Sequence, residues 1–303
     1  MNNFLNKKNI LKKAFSLIEM SVVIMIISAM IVGTLTARSL ISKARLANAR
    51  SLTQKSVVND LGSDLVAWYE TSLESSFELG VNQKDGTLIK IWKDNNKDQT
   101  LKNDATMSTA ANQPQFYKKA FYDSIPGVRF DGSNDFLSFN GTPLVKNSYT
   151  IFVVEQRRSN ASQSYFIGGV NIAANSSLHL GYRNETTITQ AHYLNDMDIV
   201  TSGNLVINPY SIVIPRIHTF FYNNSIGKKY TLNGKFEYTN PVAQTSPLVA
   251  FGGAQIARYR PGPSYYYYNG DIGEIIIFKR SLKTEEIEAI ESYLGSKYGI
   301  SVS

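Results

Sequence analysis

The sequence predicts a long N-terminal α-helix, membrane-spanning in its first half, joined to an all-β jelly-roll sandwich with a short C-terminal helix. Three observations carry this expectation. Residues 15–37 are an apolar run of 23 residues with one charge. From Leu65 onward, short β-type segments alternate with Asn-Gly and Asp-Gly turn signals. Near the C-terminus, SLKTEEIEAIESYLGSKYGI takes up a helical period.

The length of 303 residues suffices for one large β domain with a sizeable core, and 43% hydrophobic content is that of a folded protein. There is no cysteine, which excludes a disulfide framework and thiolate metal sites. The net charge of +7 is unevenly placed. Nine bases and one acid fall within the first 55 residues, and the remainder is near neutral with 22 bases and 23 acids. Nucleic-acid binding by the large domain is therefore not expected.

The first element, FSLIEMSVVIMIISAMIVGTLTA, reaches across a hydrocarbon core of roughly 30 Å at about 1.5 Å per residue. It is too long for the apolar region of a secretory signal and shows no clean small-residue cleavage site. Glu19 is the anomaly, because a carboxylate within a membrane helix is costly and points to function. The helix is expected to continue through residues 38–62 and stop at Gly62, with Leu40, Ala44, Ala47, Val57, Val58 and Leu61 at helical spacings. Arg38, Lys43, Arg45, Arg50 and Lys55 give this stretch a basic face, suited to solvent, with anionic lipid or DNA as lesser alternatives.

The order KKAFSLIEMSVVIMIISAMI resembles the class III leader of type IV prepilins and type II secretion pseudopilins. The resemblance implies a leader of residues 1–14, cleavage between Ala14 and Phe15 by a prepilin peptidase, and N-methylation of Phe15. It also implies assembly with other pilin or pseudopilin subunits, in which Glu19 faces the charged N-terminus of a neighbour. Ala14 stands where that family usually has glycine. The implied location is the bacterial cytoplasmic membrane, crossed once, with the head in the periplasm or outside.

Residues 63–303 supply the sandwich. Candidate strands are LVAWY (65–69), LIKIW (88–92), GVRF (127–130), DFLSF (135–139), YTIFVVEQR (149–157), SLHLGYR (177–183), IHTFFYN (217–223), KKYTLNG (228–234), PLVAFGG (247–253) and DIGEIIIFK (271–279). Asn233-Gly234 between KKYTL and KFEY predicts a two-residue hairpin. In the terminal helix Thr284 is the expected N-cap, Ile287, Ile290, Leu294 and Tyr298 form a core-facing stripe, and the acids of EEIEAIE face solvent.

LVAWYETSLESSF with LIKIWKDNNKDQTLKNDAT, then GVRFDGSNDFLSF, then NGDIGEIIIFKRSLKTEEIEAIESYLGSKYGI, resemble bacterial laminin G-like domains of the concanavalin A-like lectin/glucanase superfamily. That superfamily holds lectins, adhesins, hydrolases and inert modules, so the resemblance implies a fold and leaves function open.

Catalysis is not expected. The glucanase spacing Glu-x-Asp-x-Glu is absent, Glu274 and Asp271 are three positions apart, and His179, His192 and His218 are isolated. No cofactor is expected, and calcium is a minor alternative. Asp94, Asn96 and Asp98 open an EF-like pattern, but Gln99 and Ala105 break it. Asp131, Asn134 and Asp135 in DGSND are the other oxygen donors, with a polar turn as the plainer reading. Tyr265, Tyr266, Tyr267 and Tyr268 in RPGPSYYYYNGD are candidates for stacking on a glycan, since successive strand residues alternate faces. The expected function is a pilin-like subunit displaying a lectin-like head, with a membrane-anchored carbohydrate-binding protein as the alternative and a glycoside hydrolase third.

Overall fold

A computed structural model describes residues 16–80, 82–201, 213–239, 244–260 and 263–302. They form two units, one ending at Ala44 and one spanning Arg45 to the C-terminus.

The first unit is the apolar part of an α-helix that runs over Leu17–Gln54. Its start is a capping box. Ser16 Oγ accepts the Glu19 amide at 3.1 Å, and the Glu19 carboxylate accepts the Ser16 amide at 2.8 Å. Ser21, Ser28, Thr34 and Thr36 donate their hydroxyls to carbonyls one turn back, which satisfies them within an apolar stretch. Every side chain from Leu17 to Ile41 is exposed.

In the second unit the helix ends at Gln54, short of the expected stop at Gly62. Asn59 Nδ2 donates to the carbonyls of Thr53, Gln54 and Ser56, and Ser56 Oγ accepts the Val58 amide. Side chains thus take the last turn's acceptors, and a 3-10 helix, Val57–Asp64, begins instead. Gly62 has a different role: a Cβ there would lie 1.7 Å from Asp98 Oδ2.

The remainder is a sandwich of two antiparallel sheets. The inner sheet runs in the order Lys235–Thr239, Gly227–Leu232, Arg216–Asn223, Tyr149–Arg157, Asn269–Phe278, Ile125–Asp131, Gln115–Phe121, Thr87–Leu88. Leu65–Glu70 also pairs with Asn269–Phe278, beyond the part that Ile125–Asp131 occupies. The outer sheet runs Asp196–Val200, Thr187–His192, Leu178–Tyr182, Ser164–Gly168, Ala254–Ile256, Leu137–Phe139, Ala105–Thr106, Ile91–Trp92. A separate two-stranded ribbon pairs Arg258–Tyr259 with Tyr266–Tyr267.

Two expectations are corrected here. LIKIW is not one strand: Thr87–Leu88 belongs to the inner sheet and Ile91–Trp92 to the outer, so the chain changes sheets within it. PLVAFGG is a loop; Leu248 and Phe251 are buried, but its backbone bonds reach Lys146 and Asn175 rather than a ladder. The Asn-Gly hairpin is present, with Asn233 and Gly234 at φ 53° and 78°.

The inner sheet is covered on both faces, which explains its continuous apolar strands. Ile275 and Ile277 point into the core between the sheets, with Tyr69, Trp92, Phe166 and Phe220. Ile276 and Phe278 point the other way, onto Ile290, Leu294 and Tyr298 of the terminal helix, Thr284–Tyr298, and onto Ala49 and Val58. The predicted stripe therefore packs inward. Thr284 is the first helical residue, not the cap; Lys283 occupies the N-cap, and its amide is taken by the Glu286 carboxylate at 2.8 Å. Glu291, expected in solvent, is buried and accepts the hydroxyls of Thr219 and Thr231.

Candidate functional site

The four consecutive tyrosines divide as strand geometry requires, but unequally. Tyr265, 47% exposed, and Tyr267, half-buried, lie with ring planes 4° apart and centroids 6.2 Å apart. Arg260 stands 4.8 Å over the Tyr265 ring. Arg258, anchored by Gln255 Oε1 at 2.6 Å, stacks on Phe136 and reaches towards Tyr265. Tyr265 and Tyr267 form a ledge of aromatic faces with the Arg260 guanidinium at its rim, while Arg258 is buried. Tyr266 turns to the other side, towards Tyr259 and Tyr165. Tyr268 leaves the proposed platform altogether, because it is fully buried and donates its hydroxyl to Glu155.

Behind the ledge lies a group with no signal in the sequence. His179, on the outward side of Leu178–Tyr182, stacks on Tyr259 at 4.2 Å and meets Tyr165 edge-on. Its Nε2 is 3.8 Å from Asp196, and Arg183 bonds both Asp196 and Asp198. Burial opposes ionisation of Asp196, yet His179 and Arg183 hold its carboxyl down at about 2. Burial also pushes His179 down, against the pull of Asp196.

Two charged networks are enclosed. Glu155, on the intersheet face of Tyr149–Arg157, accepts the Tyr182 hydroxyl at 2.6 Å, His218 Nε2 at 2.9 Å and the Tyr268 hydroxyl. Tyr230 bonds His218 Nδ1 at 2.8 Å, which fits a neutral imidazole protonated at Nε2. Burial disfavours both charges, but His218 and Arg216 hold the Glu155 carboxyl below its usual range while His218 itself is pushed down. On the opposite face of the sheet, Lys297 lies between Glu70 and Glu274 at 3.0 and 2.8 Å, all three side chains wholly buried. Asp271, also buried, pairs with Arg129 and accepts Gln156 Nε2. The strand acids Glu70, Glu155, Asp271 and Glu274 are thus enclosed, and none presents a carboxylate to a substrate-sized cleft.

The oxygen donors of DGSND serve their own turn. Asp131 Oδ1 accepts the amides of Ser133, Asn134 and Asp135, Asn134 Nδ2 donates to Ala111, and Asp135 accepts the Asp131 amide. Burial and the Asp131 charge push Asp135 up to about 7. Asp94 is likewise used on the amides of Trp68, Asn96 and Asn103. Among the described residues no three His, Asp or Glu side chains converge as metal ligands. Ala14 and Phe15 lie outside the described residues. Glu19 is exposed in the first helical turn, and the Ser-x-x-Glu capping signature was there to be read in SLIE.

No protein-family model matches the chain, and no curated protein is similar to it. Solved structures do resemble it. The binding domain of Paraclostridial Mosquitocidal Protein 1 superposes with a TM-score of 0.50 at 13% identity, covering 77% of this chain and 52% of that one. Trypanosoma rangeli sialidase gives 0.47 at 12% identity, over 80% of this chain and 34% of that one. The Ruminococcus gnavus IT-sialidase CBM40, bound to alpha2,3 sialyllactose, gives 0.42 at 12% identity, over 55% and 95%. The chain spans about a third of the length of the sialidases it resembles. At such identity the likeness is one of fold, an antiparallel β-sandwich.

Proposed function

We propose that the chain is a pilin-like or pseudopilin-like subunit that is held in the cytoplasmic membrane and assembles through its N-terminal helix to display the sandwich outside. One observation carries this reading: from Leu17 to Ala37 the helix is apolar and exposed on all sides, with Glu19 its one charge. Such a surface needs lipid or other helices around it. Among the described residues the Glu19 carboxylate accepts the Ser16 amide, and its other lone pairs can take a cation supplied by a neighbouring subunit. The implied partners are a prepilin peptidase and other subunits. The head serves structure or adhesion rather than catalysis, a reading supported by the enclosure of its strand acids.

Mass spectrometry of the mature protein tests processing: a chain beginning at N-methylated Phe15 is expected, and an unprocessed Met1 terminus would remove the basis for the assembly role. Glu19→Ala should insert in the membrane normally but co-purify poorly with partner subunits.

A second reading concerns the head. The ledge of Tyr265 and Tyr267 beside Arg260 suits a glycan carrying a negative charge. A glycan array with and without calcium, comparing the protein with Tyr265→Ala, tests it. Binding unaffected by the substitution would rule this ledge out.

A further inference from the structure

We propose that Lys297 and Glu274 condense to an intramolecular amide, covalently tying the terminal helix to the central strand of the inner sheet. The geometry supplies each participant. Lys297 Nζ is 2.8 Å from Glu274 Oε2, and neither side chain has solvent contact. Glu70 and Glu274 face one another across the antiparallel pair of Leu65–Glu70 and Asn269–Phe278, so both carboxylates are set by ladder register.

The two oxygens of Glu274 have different surroundings. Oε1 accepts Trp68 Nε1 at 2.7 Å and the Tyr293 hydroxyl at 2.8 Å, two fixed donors where an oxyanion would develop. Oε2 lies beside Lys297 and the Tyr298 hydroxyl, the latter at 3.2 Å, where a departing oxygen can gain protons. Glu70 is the base. Its Oε2 is 3.0 Å from Lys297 Nζ, and the carboxylate is held by the amides of Ser72 and Leu73 and the hydroxyls of Ser72 and Ser76.

The step balances without an external reagent. Glu274 Oε2 takes a proton from the Lys297 ammonium at 2.8 Å, and the freed Nζ attacks Cδ of the neutral acid. The C–N bond forms, the Oε1 oxyanion is held by Trp68 and Tyr293, and the second amine proton passes through Glu70 to Oε2. The C–Oε2 bond then breaks and one water leaves. Burial pushes Glu274 up towards the neutral acid, whereas Lys297 and the Ser72 and Ser76 hydroxyls outweigh burial to keep Glu70 a carboxylate that relays the second proton. Because Glu274 and Glu70 outweigh burial to hold Lys297 up, the first proton transfer is the costly one. In solution this condensation is unfavourable. Here fixed, dry reactants have effective molarities on the order of 10⁵ M or more, and the amide removes buried charges that each cost several kcal/mol to desolvate.

The test is the mass of the detergent-purified full chain, denatured before measurement. It should lie one water, about 18 Da, below the mass of the linear sequence, after allowing for N-terminal processing. A tryptic digest should yield the Glu274 and Lys297 peptides as one branched species. Glu70→Gln keeps nucleophile and electrophile but removes the base, and should return the mass to the linear value; Lys297→Met should do the same. The wild-type measurement requires no variant to fold. A wild-type chain of linear mass with two separate peptides overturns the proposal, and a branch joining Lys297 to Glu70 overturns the assigned roles.

Discussion

Glu155→Gln isolates the value of one buried charge in the sandwich core. The substitution preserves shape, and the Glu155 side chain sits wholly between the sheets. The carboxylate accepts from Tyr182 at 2.6 Å, from His218 at 2.9 Å and from Tyr268, with Arg216 at 3.9 Å. Glutamine offers one acceptor oxygen and places an NH₂ donor where the other stood, so at least one donor meets a donor. A hydrogen bond to a charged group contributes about 1.5–3 kcal/mol, and breaking a buried charge pair costs about 3–5 kcal/mol. We expect a loss of about 3–5 kcal/mol at pH 7, lowering Tm by roughly 6–20 °C for a domain of this size. Urea and thermal unfolding, followed by fluorescence of the buried Trp68 and Trp92, read this directly. The sign with pH is fixed as well. Glu155 is held below its unfolded value, so its contribution is present above that value and lost as pH falls through the folded one. The gap between wild type and variant should hold from pH 7 to 5 and narrow below about pH 4. A loss under about 1 kcal/mol, or a gap that widens in acid, would refute this account.

Three other expectations follow from neighbouring residues. Glu291→Gln should change stability by less than about 1 kcal/mol, because an amide oxygen can still accept both threonine hydroxyls; since burial raises Glu291, the variant should gain relative to wild type as pH rises. His192, pushed down to about 3 chiefly by burial, favours the neutral form when folded, so unfolding takes up a proton in acid. Stability should fall between about pH 6.5 and 3 by roughly 4–5 kcal/mol from this group, and His192→Gln should flatten that limb in urea titrations at stepped pH. Asn233→Ala should cost about 1–3 kcal/mol in thermal unfolding, losing the bond to the Ile217 amide at 2.8 Å and placing a Cβ residue at positive φ without side-chain support.

The periodicities that decide fold class were local and therefore legible. The apolar run, the Asn233-Gly234 hairpin and the Ile290, Leu294, Tyr298 stripe each need only neighbours in sequence to be recognised. The strand Thr187–His192 went unread because its polar residues are buried by partners elsewhere in the chain, and Gln115–Phe121 because the exposed Lys118 and Lys119 leave only Phe116 and Phe121 buried. The end of the first helix was missed because three side-chain bonds from Asn59 outweigh a helical apolar spacing.

The sequence by itself determined that a long apolar helix precedes a β-sandwich, and that Glu19 is out of keeping with the run around it. Tertiary structure alone decided which acids meet which cations. Glu70, Glu274 and Lys297 are up to 227 positions apart, and Glu155 meets Tyr268 across 113. It also divided the tyrosine run into an exposed pair and a core residue. The physical reason is common to all of these. Alternation along a strand fixes that neighbours face opposite ways, but which face meets water depends on what folds over it.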